Sequence, residues 1–199
     1  STIMQIKNKV KMFFVPYGLG NHLKSWGVNQ ESITELNWGE STNSNGIEFV
    51  CLPARHFSGR GPLNRNSTLW CSWAIKSEHG KIYFSGDSGY GNHFKTIGEM
   101  HGPFDLSFID CGQYNVAWKY SHMIPEEAVR ASKDLESDYF MPIHWGAFTL
   151  STHAWEEPVI RAINHAKKAN QKIIAPKLGQ IILLGDNIDT KIIDWWNSY

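Results

Sequence analysis

Ile82–Tyr90 reads IYFSGDSGY. An apolar run ends at one carboxylate, Asp87, set between Gly86 and Gly89 at what reads as the end of a buried strand. Packing alone asks for an apolar residue there or for none. Upstream, LWCSWAIK (Leu69–Lys76) and KIYFSG (Lys81–Gly86) read as a hairpin turning at SEHG, and IEFVCLPA (Ile47–Ala54) and ITELNW (Ile33–Trp38) as strands. The loop ESTNSNG between those two is expected to be their hairpin connection. KMFFVPYGLG (Lys11–Gly20) reads as a strand running into a Gly-rich turn, followed by a short helical piece, NHLKSWGV.

Downstream, the pattern changes. NHFKTIGEM predicts a short helix and DLSFID (Asp105–Asp110) a buried strand. IPEEAVRASKDL starts as helices start, with Pro near the first turn and two Glu at the positive end of the helix dipole. YFMPIHW then predicts a strand, WEEPVIRAINHAKKAN an amphipathic helix and QIILLG (Gln180–Gly185) the last strand. Strands dominate the first half and alternate with helices in the second. That predicts an α/β or α+β layered domain over residues 1–199, not a doubly wound nucleotide binder.

Composition narrows the function classes. Of 199 residues, 42% are hydrophobic and 19% charged, and the 19 basic side chains match the 19 acidic ones. A neutral balance gives no support to a nucleic-acid surface, which shows as a basic excess. No run approaches the ~18 apolar residues of a spanning helix. The three cysteines, Cys51, Cys71 and Cys111, sit in apolar contexts without CxxC spacing, so a reduced, cytoplasmic setting is expected. Nine tryptophans and seven tyrosines admit two readings, a core of large aromatics or an aromatic-lined pocket.

Three segments share one pattern, an apolar strand followed by one potential metal ligand. CLPARHFSGR supplies His56, IYFSGD supplies Asp87 and FMPIHWG supplies His144. His122 stands in a loop just before a helix, where it could equally bond Glu126 or the backbone. His and Asp suit a borderline divalent metal, and loops at one sheet edge commonly present such ligands. Arg55 and Arg60 flank His56 and could meet a phosphate, or be ordinary surface arginines. Tyr114 and Trp145 are candidates for a substrate wall.

Taken together, PARHFSGR, NRNSTLWCSWAI, FSGDSGY, GPFDLSFIDCGQY, HMIPEEAV and PIHWGAFTLS…EEP resemble the metallo-β-lactamase superfamily. More narrowly, they resemble its branch of N-acyl-phosphatidylethanolamine-hydrolysing phospholipase D and related bacterial metal-dependent hydrolases. The resemblance implies an α/β/β/α sandwich with a two-metal, usually dizinc, centre at one edge; manganese or iron would suit the same donors. It implies that His56 binds one ion, His144 the other, and Asp87 bridges both. It further places His122 beside the reaction centre, contacting a phosphate or moving a proton. A lipid or small-molecule phosphodiester is the implied substrate, hydrolysed in the cytoplasm or at the membrane periphery. A phosphorylated-sugar lactonase and a non-catalytic interaction module are the alternatives.

The family's His-x-His-x-Asp-His motif is absent from the sequence. The expectation is therefore that the chain is the C-terminal portion of a longer hydrolase, lacking N-terminal strands. Each metal would then keep two protein ligands instead of the usual three, so weak metal binding and little hydrolysis are expected. A sheet face without its partner layer also predicts self-association.

Overall fold

The strand that ends before Asp87 lies near the middle of a seven-stranded sheet. The computed structural model describes residues 2–59, 61–148, 150–185 and 194–198, so Arg60 falls outside the described residues. After helix α1 (Thr2–Ile6), β1 (Phe13–Pro16), helix α2 (Gly20–Ser25) and β2 (Ile33–Leu36) form a small unit in which the two strands pair in parallel. The large sheet follows, running β3 (Ser41–Ser44), β4 (Ile47–Leu52), β5 (Ser72–Ser77) and β6 (Gly80–Phe84) as antiparallel neighbours. It continues in parallel with β7 (Phe104–Asp110), β8 (Ser137–Ile143) and β9 (Lys172–Ile173). Short turns suffice for the antiparallel half. The parallel half needs crossovers, and α3 (His93–His101), α4 (Pro125–Asp134) and α5 (Glu157–Ala169) supply them.

Period-two alternation sorts the sheet's side chains into two cores. On one face Tyr83, Ile109 and Phe140 are buried with Phe94 of α3, Val129 of α4 and Val159 of α5. Tyr83 meets Phe94 and Phe104 with ring centroids 6.2 and 5.6 Å apart. Each such large apolar side chain contributes about 1.5–3 kcal/mol on leaving water. Leu106, Tyr139 and Ile174 form a smaller cluster, with Phe108 and Met141 half-buried against it. Beside Phe108, Phe84 remains 40% exposed.

Three expectations are corrected. The ESTNSNG segment is not a plain loop, because Ser41–Ser44 forms β3 and pairs with Ile47–Val50. Its turn is Asn45-Gly46, with φ of 52° and 80°, the left-handed pair that a two-residue hairpin requires. Consequently β2 does not form a hairpin with β4 but pairs with β1. Gln180–Gly185 is not a strand: Ile181 and Leu183 face solvent and only Ile182 packs, against the Leu106 cluster. The last strand is Lys172–Ile173, two residues whose pairing is set by β8. No helix among the described residues is long and apolar enough to cross a membrane.

Candidate metal centre

The three sequence-predicted donors, and His122 with them, leave the sheet at one edge. His56 follows β4, Asp87 follows β6, His122 lies in the segment after β7, and His144 is the first residue beyond β8. These strands run in the same direction, so their C-terminal ends share that edge. Donor atoms of His56, Asp87 and His122, one from each, lie within 4.8 Å of one another, and so do those of Asp110, His122 and His144. The His144 Nε2 is 3.9 Å from Asp87 Oδ2. The rings of His56 and His122 are 5.5 Å apart, and those of His122 and His144 are stacked at 5.3 Å.

The glycines around Asp87 have separate structural reasons. Gly86 has φ +59°, and a Cβ there would meet the Cys71 carbonyl at 3.1 Å. At Gly89 a Cβ would lie 2.6 Å from the backbone carbon of Tyr120. Gly89 thus lets the segment carrying His122 close onto the Asp87 loop. Asp87 keeps 46% of its side chain exposed, so its carboxylate faces outward from this packed turn.

Asp110 is the site residue that the sequence reading missed. Its side chain is fully buried, and Oδ2 lies 2.9 Å from His122 Nδ1. The Ser88 N–H donates to Oδ2 at 3.2 Å, and the Gly112 N–H to Oδ1 at 3.3 Å. The Asp110 N–H donates to Ser85 Oγ at 2.9 Å. The two serines of SGDSG therefore hold the neighbouring strand's aspartate. A signal was present, since DLSFIDCG repeats the apolar strand, carboxylate and nearby Gly of IYFSGDSG. Burial pushes the Asp110 carboxyl above its usual range, against the His122 hydrogen bond. Burial alone would lower His122, but the hydrogen bond and charge of Asp110 outweigh it and raise the imidazole. His122 bonds neither Glu126 nor the helix start; Glu126 instead takes Arg161 of α5 through Nε at 3.1 Å and Nη2 at 2.7 Å.

His56 places Nδ1 2.8 Å from the Phe57 carbonyl, which can only accept, so Nδ1 carries the proton and Nε2 keeps its lone pair. His144 has φ +68°, a left-handed backbone uncommon outside glycine, held by close contact with Gly112. The donor set of imidazoles and a carboxylate, presented at this spacing, fits a divalent ion of the zinc type.

The remaining candidates divide. The Arg55 guanidinium is exposed, donates from Nη1 to the Tyr90 carbonyl at 2.7 Å, and lies 4.3 Å over the Tyr120 ring. The Tyr114 hydroxyl donates to Glu157 and accepts from Arg161, so it belongs to the tie between α4 and α5. Trp145 packs with Trp155, Trp195 and Trp196 and donates from Nε1 to the Pro142 carbonyl at 3.0 Å. Trp145, Trp155 and Trp195 line a cavity of about 640 Å³ that also reaches His144. The aromatics thus serve both uses, Tyr83 and Phe94 in the core and these tryptophans as a pocket wall. His93 is half-buried near Arg55, and its pKa falls to about 4 through burial and that guanidinium.

Comparison with known proteins places this geometry. Residues 1–145 match the beta-lactamase superfamily domain. An uncharacterized protein of Mycobacterium tuberculosis is 46% identical over 187 residues, covering 92% of this chain and 50% of that protein. An N-acyl-phosphatidylethanolamine-hydrolyzing phospholipase D of Caenorhabditis elegans is 41% identical over 150 residues, covering 70% of this chain and 42% of that protein. The chain therefore spans about half the length of the curated relatives it matches. Igni18, a metallo hydrolase of Ignicoccus hospitalis, shares the fold with a TM-score of 0.69 at 18% identity, over 90% of this chain and 71% of that one.

Proposed function

The chain belongs to the beta-lactamase superfamily, whose relatives include metal-dependent hydrolases, and on that premise we propose that it serves the hydrolysis of a phosphodiester or related ester carrying an apolar chain. The observation that carries this reading is the meeting of His56, Asp87, His122 and His144, four residues far apart in sequence, beside an apolar cavity that shares His144. A bound divalent ion supplies charge to polarise the ester and to acidify water. His56, Asp87 and His144 are the donors that would hold it, and zinc suits them, in the two-ion arrangement that the family resemblance implies.

The chain's own side chains set the substrate's orientation. The Trp145 wall and its cavity, within the ~300–1,000 Å³ of ligand pockets, take the apolar portion of the substrate. Arg55, exposed beside His56, meets the phosphate with the N–H groups that Tyr90 leaves free. Val116, Phe148 and Leu150, all more than two-thirds exposed in the segments carrying His122 and His144, favour work at a lipid surface. The sheet face bearing Phe84 is the surface through which we expect self-association.

The test is a panel of an N-acylated phospholipid, a simple phosphodiester and a phosphorylated lactone, offered to the zinc-supplemented protein. Cleavage of the phosphodiesters, slow in this chain on its own and abolished by Asp87→Asn, is expected. Cleavage of the lactone alone, or an Asp87→Asn variant as active as its parent, overturns the reading.

A further inference from the structure

Resting on the reading of the Trp145 cavity as the seat of the substrate's apolar chain, we propose that Gln113 is a positioning residue that fixes the rim of that cavity and so sets the chain length it accepts. Gln113 stands in the segment between β7 and α4 and does not line the cavity itself.

Three backbone groups of another segment meet in this one side chain. Its Nε2 donates to the Phe148 carbonyl, while Oε1 accepts from the Leu150 N–H at 2.8 Å and the Ser151 N–H at 2.9 Å. The side chain thus does for these groups what a paired strand would do, and its removal leaves them without partners. Only 6% of Gln113 is exposed, and its backbone is left-handed at φ +57°, which is uncommon outside glycine. An amide suits the position because it offers a donor and an acceptor together, which neither an ionised carboxylate nor an apolar side chain of similar size does.

The segment held in this way borders the cavity. Gly146, Ala147 and Phe148 line it, and Phe148 stays 78% exposed. A ring so exposed gains little from packing, so its place follows from where its backbone is tied. Trp155, another wall residue, lies two positions before α5. The neighbour of Gln113 fixes that side: the Tyr114 hydroxyl donates to Glu157 at the start of α5, and the Tyr114 carbonyl accepts from Ser151 Oγ at 2.6 Å. Two adjacent residues therefore tie both walls to one segment. Each methylene that the cavity takes out of water raises affinity about fourfold. Loosening the Phe148 rim returns the far part of a long chain to solvent and leaves a short chain unaffected.

Calorimetric titration of the zinc-supplemented chain with methyl dodecyl phosphate and with methyl butyl phosphate, both below micelle-forming concentrations, tests the proposal. The two ligands present the same phosphodiester, so the ratio of their affinities cancels what Arg55 and the metal contribute. The parent should favour the dodecyl ester by about 100-fold. Gln113→Met keeps the volume, loses all three hydrogen bonds, and should cut that preference by about tenfold, roughly the share of two methylenes. Gln113→Glu keeps an acceptor for Leu150 and Ser151 but loses the donor to Phe148, so a fall of about fourfold, one methylene's share, is expected. Asn43→Ala removes a turn hydrogen bond on the edge strand β3 and should leave the ratio unchanged. Circular dichroism confirms that each variant is folded, and if Gln113→Met does not fold, the ratio in Gln113→Glu decides. A folded variant with the parental ratio, even with both affinities lowered alike, overturns the proposal and leaves the cavity reading standing. A parent that binds the two esters equally, or binds neither, overturns the cavity reading and the proposal together, and the hydrolase reading is then judged on the phosphodiester panel.

Discussion

Adding a single methyl group at Gly112 should disable the centre from outside it. Gly112 follows Cys111 at the end of β7, and a Cβ there would lie 1.9 Å from the His144 carbonyl oxygen and 2.6 Å from its carbon. Both are backbone atoms, so no rotamer change relieves the clash. Bringing the oxygen to an ordinary contact of about 3.4 Å requires a shift of roughly 1.5 Å between the ends of β7 and β8. His144 is the first residue past β8, and the Gly112 N–H holds Asp110, so both would move. Overpacking of this kind costs about 1–3 kcal/mol, and more where backbone must yield. For a chain this size about 3 kcal/mol corresponds to a fall in Tm of roughly 6–12 °C. Gly112→Ala should show that loss by thermal circular dichroism and weakened zinc binding by calorimetry. Gly61→Ala is the control, since its nearest neighbour would be a side-chain oxygen at 3.9 Å. A Gly112→Ala variant that melts with the parent and binds zinc equally would refute the argument.

Other consequences are open to measurement. His93 titrates near 4 in the folded chain against 6.5 when unfolded, so the unfolded state takes up a proton that the native imidazole refuses. Its contribution of about 3 kcal/mol is complete above pH 6.5 and is lost as the pH falls towards 4. In urea denaturation, His93→Gln should therefore lose less stability across that window than the parent; parallel curves would show that burial of His93 has no such effect. Arg161→Lys gives up the forked contact with Glu126, and because the pair is about one-third exposed the loss should be near 1 kcal/mol, read as a shift in urea midpoint. An unchanged midpoint would mean that the tie between α4 and α5 adds nothing. The Phe84 face should make the chain dimeric or larger by light scattering, with Phe84→Glu reducing the mass; a monodisperse parent monomer counts against self-association.

Local rules carried most of the secondary structure. Alternation in IYFSG and DLSFID, and the Pro-Glu-Glu helix start, are short-range patterns, and β6, β7 and α4 lie where they predict. The same holds for the placement of His56, Asp87 and His144 just beyond strand ends, because each follows its strand within a few residues. Other features depended on distant partners. STNS is polar and becomes a strand only by pairing with β4 across Asn45-Gly46, while the apolar IILL run finds no strand to pair with among the described residues. Asp110 reads as a strand's last residue and becomes a site residue only because His122, twelve positions on, folds back onto it.

From IYFSGDSGY alone, Asp87 is a carboxylate exposed by glycines at a strand end. Only the tertiary structure decided that its serines serve Asp110 and that Gly89 admits the His122 segment. Hydrogen-bond partners and close backbone approaches are set by which chain segments meet, and a local sequence pattern carries no record of that meeting.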